Sequence, residues 1–92
     1  MSLEADARRG ELARSVLDNP VYAESYDLIE RSIVEAWKES RDAAERDELH
    51  RLHKTLAKAK NLIESVMRTG EVAQAELKHK RSIADRVRAF AA

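Results

Sequence analysis

The sequence predicts an all-α protein, built as an antiparallel helical hairpin with a short N-terminal helix and a basic C-terminal helix or tail. The 92 residues include only two glycines and one proline, and 37% of them are charged, which is typical of helical chains rich in Ala, Leu, Glu, Lys and Arg. Apolar residues also recur at alternating spacings of three and four in two long segments. This spacing marks one face of a helix.

Residues 1–18 are expected to form a short or frayed helix. Their composition favours a helix, but the apolar stripe is thin and Gly10 interrupts it. The stripe consists of Leu3, Ala7, Ala13, Val16 and Leu17.

Residues 20–40 begin with the strongest helix-start signal in the chain. Asn19 can accept hydrogen bonds from the first free backbone N–H groups, and Pro20 at the first helical position loses no hydrogen bond. Ser40 lies in phase with the apolar face, and Trp37 lies beside it. The face itself comprises Tyr22, Tyr26, Ile29, Ile33 and Ala36.

Residues 43–69 form the second arm of the predicted hairpin. Asp42 with Glu45 is typical of a capping box, and Ser40 is the competing cap. The apolar face here is out of phase with that of 20–40, so a break must separate the two helices, which pack antiparallel across a short link. The face comprises Leu49, Leu52, Leu56, Ala59, Ile63 and Val66, and continues in phase through Gly70, Ala73 and Leu77.

Gly70 has two readings. It follows Arg68 and Thr69 as a glycine just past a helix end does, which predicts a stop or kink and a separate basic segment over 71–92. The apolar spacing continues through Ala73 and Leu77, which favours an uninterrupted helix instead.

The size of the chain favours association. A domain of this length buries little apolar surface alone, and the flanking Leu62 and Met67 make the apolar band wider than a two-stranded coiled coil requires. We therefore expect a homo-oligomer, and aromatic residues on this face pack more often than they stack on bases. The predicted interface residues are Tyr22, Tyr26, Ile29, Ile33, Trp37, Leu49, Leu52, Leu56, Ile63 and Val66.

Catalytic and cofactor chemistry has no visible support. The chain contains no cysteine, no Gly-rich phosphate loop and no nucleophile elbow, so we expect a non-enzymatic protein without catalytic residues or cofactors. His50 and His53 have the spacing of two metal ligands, but a zinc or nickel site needs three or four. No metal site is expected.

No apolar run approaches the roughly 20 residues that span a bilayer. The opening MSLEADARRG also lacks the apolar core of a signal peptide. We therefore expect no membrane partner and a cytoplasmic location.

The zero net charge hides an asymmetry between the two halves of the chain. Residues 1–48 contain 7 Lys and Arg against 13 Asp and Glu, and residues 49–92 contain 10 against 4. A basic strip on the back of the second arm has three interpretations: a surface that contacts DNA, an ordinary solvated helix face, or a docking surface for the acidic helix 20–40 of a neighbour. The predicted binding residues for DNA or an acidic partner are Arg51, Lys54, Lys58, Arg68, Lys78, Lys80 and Arg81.

Four stretches occur in a recognisable order: LDNPVYAESYDLIE (17–30), IVEAWKES (33–40), RDAAERDELHRLHKTL (41–56) and MRTGEVAQAELKHK (67–80). This order resembles small helical proteins of tailed bacteriophages and prophages, encoded in the head and DNA-packaging region. The resemblance covers about residues 12–81, and the layout is similar to the oligomerisation hairpin of terminase small subunits.

The resemblance implies a homo-oligomer that acts in phage DNA packaging or head assembly in the bacterial host cytoplasm, with DNA and a large terminase subunit as partners. The helix-turn-helix module of that family is absent or reduced to residues 1–18, so no residue-by-residue role carries over. Two alternatives stay open: a sequence-nonspecific DNA-binding protein, and a protein-binding module such as a phage-encoded inhibitor of a host protein.

Overall fold

The computed structural model describes residues 2–91, which form three helices: α1 (Leu3–Leu17), α2 (Pro20–Glu39) and α3 (Ala43–Ala91). No strand occurs within residues 2–91. The all-α prediction is confirmed.

The starts of the helices follow from local side chains. The Ser2 hydroxyl accepts a hydrogen bond from the Ala5 N–H at 3.1 Å and so caps α1. Asn19 Oδ1 accepts from the N–H groups of Val21 (2.8 Å) and Tyr22 (3.2 Å), which confirms the predicted cap of α2.

The link between α2 and α3 is three residues long. Ser40 ends α2, and Asp42 Oδ1 accepts a hydrogen bond from the Ala44 N–H at 3.4 Å. Asp42 therefore caps α3, as predicted. The Asp42 N–H donates to Ser40 Oγ at 3.4 Å, so Ser40, at the end of α2, takes the place that the predicted capping box gave to Glu45.

Helix α3 continues through Gly70 without a break and has 49 residues. The stop or kink expected at Gly70 does not occur, and no glycine within residues 2–91 has a positive φ. The predicted segments 43–69 and 71–92 are thus joined in one helix over Ala43–Ala91, and residue 92 lies outside the described residues. A glycine was needed here for a different reason: a Cβ on Gly70 would lie 2.5 Å from the Cα of Gly10 in α1.

Both α1 and α2 run antiparallel to α3, one after the other. Gly10 faces Gly70, and further along the chain Glu30 Oε2 lies 3.5 Å from His53 Nε2. One arm of the hairpin is therefore α1 followed by α2, and the other arm is α3. The N-terminal helix is short, as expected, but it packs along α3 over its length instead of fraying.

The hairpin is a single layer of helices. Its extents are 76 × 23 × 16 Å and its radius of gyration is 20.9 Å, whereas a compact chain of this length has about 12 Å. The apolar side chains buried in the described part of the chain are Ala7, Ala13, Ile33 and Ala73. Since most domains bury their core between two packed layers, one chain has almost no core of its own.

Candidate interaction surfaces

The ten predicted interface residues fall into two groups. Ile33 is buried, and six others are half-buried between the arms of the hairpin. Ile29, Trp37 and Leu52 remain 48%, 40% and 53% exposed. The half-buried residues are Tyr22, Tyr26, Leu49, Leu56, Ile63 and Val66.

The half-buried group already has partners in its own chain. The Lys60 ammonium lies 4.6 Å from the centroid of the Tyr26 ring, and the rings of Tyr22 and Tyr26 are 6.3 Å apart. Cation–π contacts at partly exposed sites contribute about 0.5–1 kcal/mol. The contact of Lys60 with Tyr26 therefore joins α2 to α3, whereas Val66 faces α1, beside Asp6 and Arg9.

Trp37 contributes to the link between α2 and α3. The Arg46 guanidinium lies 4.0 Å from the Trp37 ring centroid, and its Nη1 donates to the carbonyl oxygens of Trp37 (2.8 Å) and Ser40 (3.0 Å). Arg46 therefore joins the last turn of α2 to the first turn of α3. Sequence reasoning did not single out Arg46, because nothing local marks an arginine that packs on a ring nine positions earlier.

An apolar groove of about 600 Å³ runs between α2 and α3 on one side of the hairpin. None of its lining residues is charged, and Leu28, Ile29 and Leu52 expose 62%, 48% and 53% of their surface. The apolar groove is lined by Leu28, Ile29, Ser32, Ile33 and Ala36 of α2 and by Leu49, Leu52, Thr55, Leu56 and Ala59 of α3.

The same side extends beyond the apolar groove. At 100° per residue, Val21 and Leu62 fall on this side of α2 and α3, and they are 68% and 62% exposed. Val21 and Leu28 were missed from the sequence because their stripe is interrupted by serines. The usable signal was a second uncharged stripe, with Val21, Ser25, Leu28, Ser32 and Ala36 at spacings of four, three, four and four.

The basic strip lies on the outer face of α3. Arg51, Lys54, Lys58 and Arg68 are all exposed there. Arg51 Nη1 lies 3.6 Å from Glu48 Oε1, and Arg68 Nη1 lies 4.0 Å from Glu64 Oε2. Because exposed pairs of this kind contribute only about 0–1 kcal/mol, neither pair holds its arginine away from an incoming anion.

The last part of α3 extends past the hairpin. Leu3 at the start of α1 lies level with Ala73 and Glu76, and residues 78–91, the C-terminal projection, are exposed throughout. At 1.5 Å per residue this helical segment is about 21 Å long. It contains Lys78, Lys80, Arg81, Arg86 and Arg88 against the single acid Asp85.

On the opposite side of the hairpin from the apolar groove, a hollow of about 250 Å³ contains two of the histidines of α3. It is lined by Ile33, Val34, Trp37, Leu49, His50 and His53. The described residues contain no cluster of three or more potential metal ligands. His53 Nε2 also lies 3.5 Å from Glu30 Oε2, on the other helix.

No family model, no curated protein and no solved structure matches the chain. Among the helices of residues 2–91, none is both long and apolar enough to cross a bilayer. The surfaces that remain as candidates for function are the apolar groove, the basic strip and the C-terminal projection.

Proposed function

We propose that the protein is a non-enzymatic assembly factor that works as a homo-oligomer joined through the apolar groove. The observation that supports this most directly is the single helical layer, only 16 Å thick, with an uncharged groove open along one side. A second layer laid on that side would supply the core that one chain lacks.

The free energies of apolar burial and of exposed ion pairs, when compared, favour apolar burial as the driving force for self-association. Val21, Leu28, Ile29, Leu52 and Leu62 each expose 48–68% of their surface. Covering what remains exposed contributes roughly 1–2 kcal/mol for each side chain, whereas an exposed ion pair contributes about 0–1 kcal/mol. The apolar groove therefore supplies the affinity, and charges around it set the orientation.

We base the biological setting on the sequence resemblance alone. Similarity to small phage proteins of the head and DNA-packaging region favours a role in genome packaging or head assembly in the bacterial cytoplasm. In that setting the large terminase subunit is the expected protein partner. A helical hairpin that self-associates is compatible with this role.

The oligomeric state tests the proposal. Light scattering coupled to size exclusion, on the full chain at tens of micromolar, is expected to give a mass at least twice that of one chain. A monomer at that concentration would overturn the assembly function, including its packaging role.

A second candidate function is binding of DNA without sequence selectivity. The observation that favours it is the C-terminal projection, which carries five basic side chains and one acidic side chain on a helix exposed on all sides. Phosphate contacts by Lys and Arg release counterions and so supply affinity independent of sequence. Salt-sensitive binding to unrelated duplexes supports this function, and no binding at low salt would remove it.

A further inference from the structure

We infer that a second copy of this chain covers the apolar groove in one particular orientation: α2 of each copy lies on α3 of the other, and both C-terminal projections leave the dimer at the same end. This inference rests on the homo-oligomer proposed above. It adds the symmetry of the pair, the charged residues that select it and the placement of the basic segments.

Two symmetric arrangements bring the apolar groove onto itself, since a two-fold interface uses the same patch on both copies. In one, the axis runs parallel to the helices, so that each α2 lies on the partner's α3. In the other, the axis runs across the helices, so that α2 lies on α2 and α3 on α3. Both bury the same apolar residues.

Charged residues beside the apolar groove differ between its two edges. At 100° per residue, Glu24, Arg31, Glu35 and Lys38 lie along the outer edge of α2, and Arg51 and Lys58 lie along the outer edge of α3. All six are exposed. Arg51 keeps an ion pair with Glu48 in its own chain at 3.6 Å, and Glu48 is the acid on this side of α3. The acids Glu24 and Glu35 thus share the edge of α2 with the bases Arg31 and Lys38, whereas the edge of α3 is mainly basic.

Contacts within the hairpin fix the level of each of these residues, that is, its position along the long axis of the hairpin. Glu30 lies beside His53, and Lys60 lies over the Tyr26 ring. Counting along the antiparallel helices from these pairs, Glu24 stands within about one turn of Lys58, and Glu35 within about one turn of Arg51.

These levels distinguish the two arrangements. An axis parallel to the helices keeps each level unchanged, so Glu24 approaches the partner's Lys58 and Glu35 approaches the partner's Arg51. An axis across the centre of the apolar groove instead sets Glu24 against the partner's Glu35 and Lys58 against the partner's Arg51. Arg31 meets a like charge in either arrangement, the partner's Arg51 or the partner's Arg31, and Lys38 meets an acid in either arrangement, the partner's Glu48 or the partner's Glu24. These two bases therefore do not distinguish the arrangements. Since like charges placed together are penalised and opposite charges are favoured, the other four residues select the parallel axis.

The parallel axis has a consequence for the C-terminal projections. Both extend from the same end of the dimer, on helices roughly 11–14 Å apart at the diagonal of a four-helix bundle with 8–10 Å spacing. Each carries five basic side chains and one acidic side chain. The dimer thus presents two parallel, basic C-terminal projections to a polyanion, whereas the crossed arrangement places one projection at each end of the dimer.

Spin-label distances test the orientation. The chain has no cysteine, so Ser82→Cys provides a single labelling site in the C-terminal projection. We expect a distance below about 40 Å between the two labels in the dimer, against about 80 Å if the axis crosses the helices. Labels at Lys54→Cys, level with the middle of the apolar groove, give a short distance in both arrangements and serve as the control.

The two proposals fail in different ways. A short distance at Lys54→Cys with about 80 Å at Ser82→Cys would overturn this orientation and leave the oligomer intact. A wild-type chain that is monomeric in light scattering would overturn both.

Charge exchange provides a second test. Glu24→Lys with Glu35→Lys in one chain, or Arg51→Glu with Lys58→Glu in another, is expected to weaken self-association at least about tenfold, and mixing the two variants should restore a mixed dimer. The single variant Glu24→Lys should also weaken the dimer. Tighter association of Glu24→Lys would overturn the proposal, because it is the result of setting that lysine against the partner's Glu35.

Discussion

Gly10 of α1 and Gly70 of α3 pack backbone against backbone: a Cβ on either residue would lie 2.5 Å from the Cα of the other. Buried Ala7, Ala13 and Ala73 surround this crossing. Small residues on both helices let the two backbones approach closely enough for main-chain atoms to make the contact. The close fit of the two backbones therefore holds α1 against α3, with little contribution from large apolar side chains.

Gly70→Ala is expected to destabilise the protein by about 1 kcal/mol or more, because the overpacked crossing outweighs the gain in helix propensity. Chemical denaturation followed by circular dichroism, at one fixed protein concentration, measures the change. Ala75→Gly at an exposed position of the same helix is the control and should cost about 1 kcal/mol. A Gly70→Ala protein more stable than wild type would contradict the close crossing.

The ion pair beside this crossing should matter less. Arg14 Nη2 lies 2.6 Å from Glu71 Oε1, but the two side chains are 56% and 51% exposed. Exposed pairs contribute about 0–1 kcal/mol because water screens them. Arg14→Ala should therefore lower the free energy of unfolding by less than Gly70→Ala does, and the reverse order would show that charge holds α1 in place.

Arg46→Ala is expected to loosen the link between α2 and α3. The change removes the contact with the Trp37 ring at 4.0 Å and two hydrogen bonds to carbonyl oxygens, with a cost of roughly 1–3 kcal/mol. Trp37 is the single tryptophan of the chain, so its fluorescence reports on the site directly. Arg46→Lys keeps the charge but loses the planar stacking, and should recover only part of the stability.

Assembly is best probed at residues that are exposed in one chain. Leu28 in the apolar groove and Leu62 beside it are each 62% exposed, and Leu12 is 63% exposed on α1. Leu28→Asp and Leu62→Asp should reduce the mass seen in light scattering while the helical signal persists, whereas Leu12→Asp should change neither. An oligomer unaffected by both changes would mean that another surface joins the copies.

Leu56→Asp and Ile63→Asp, at two of the interface residues predicted from the sequence, are less informative. Both residues are half-buried within the hairpin. A carboxylate at either position would destabilise the single chain, so loss of the oligomer there would not identify the interface.

Neutralising the C-terminal projection should weaken any binding to DNA. With Lys78, Lys80 and Arg81 all changed to Gln, each lost phosphate contact lowers the slope of log affinity against log salt by roughly 0.9. Fluorescence anisotropy with an arbitrary duplex measures the slope. The matched control changes Arg8, Arg31 and Lys38, exposed residues of the acidic half, to Gln. Equal losses in both variants would indicate that overall charge, and not the projection, attracts DNA.

The starts of α2 and α3 could be predicted because the causes are local. Asn19 and Pro20 act within one turn of the residues they cap, and Asp42 does the same for α3. The out-of-phase apolar faces also required a break, which the structure has at residues 40–42. The candidate surfaces were harder: ten interface residues were selected by spacing, and spacing does not separate those that pack within one chain from those left outside.

Spacing, composition and capping chemistry were sufficient to define an all-α hairpin with a basic end, since each acts through neighbours along the chain. Packing between distant segments decided the rest. Gly70 lies inside a helix, and a glycine is needed there because Gly10, 60 positions earlier in the chain, packs against it. Ile33 is buried while Leu28 and Leu52 stay exposed. The reason is that α1 and α2 follow one another along α3, so no helix covers the side of the layer that holds the apolar groove.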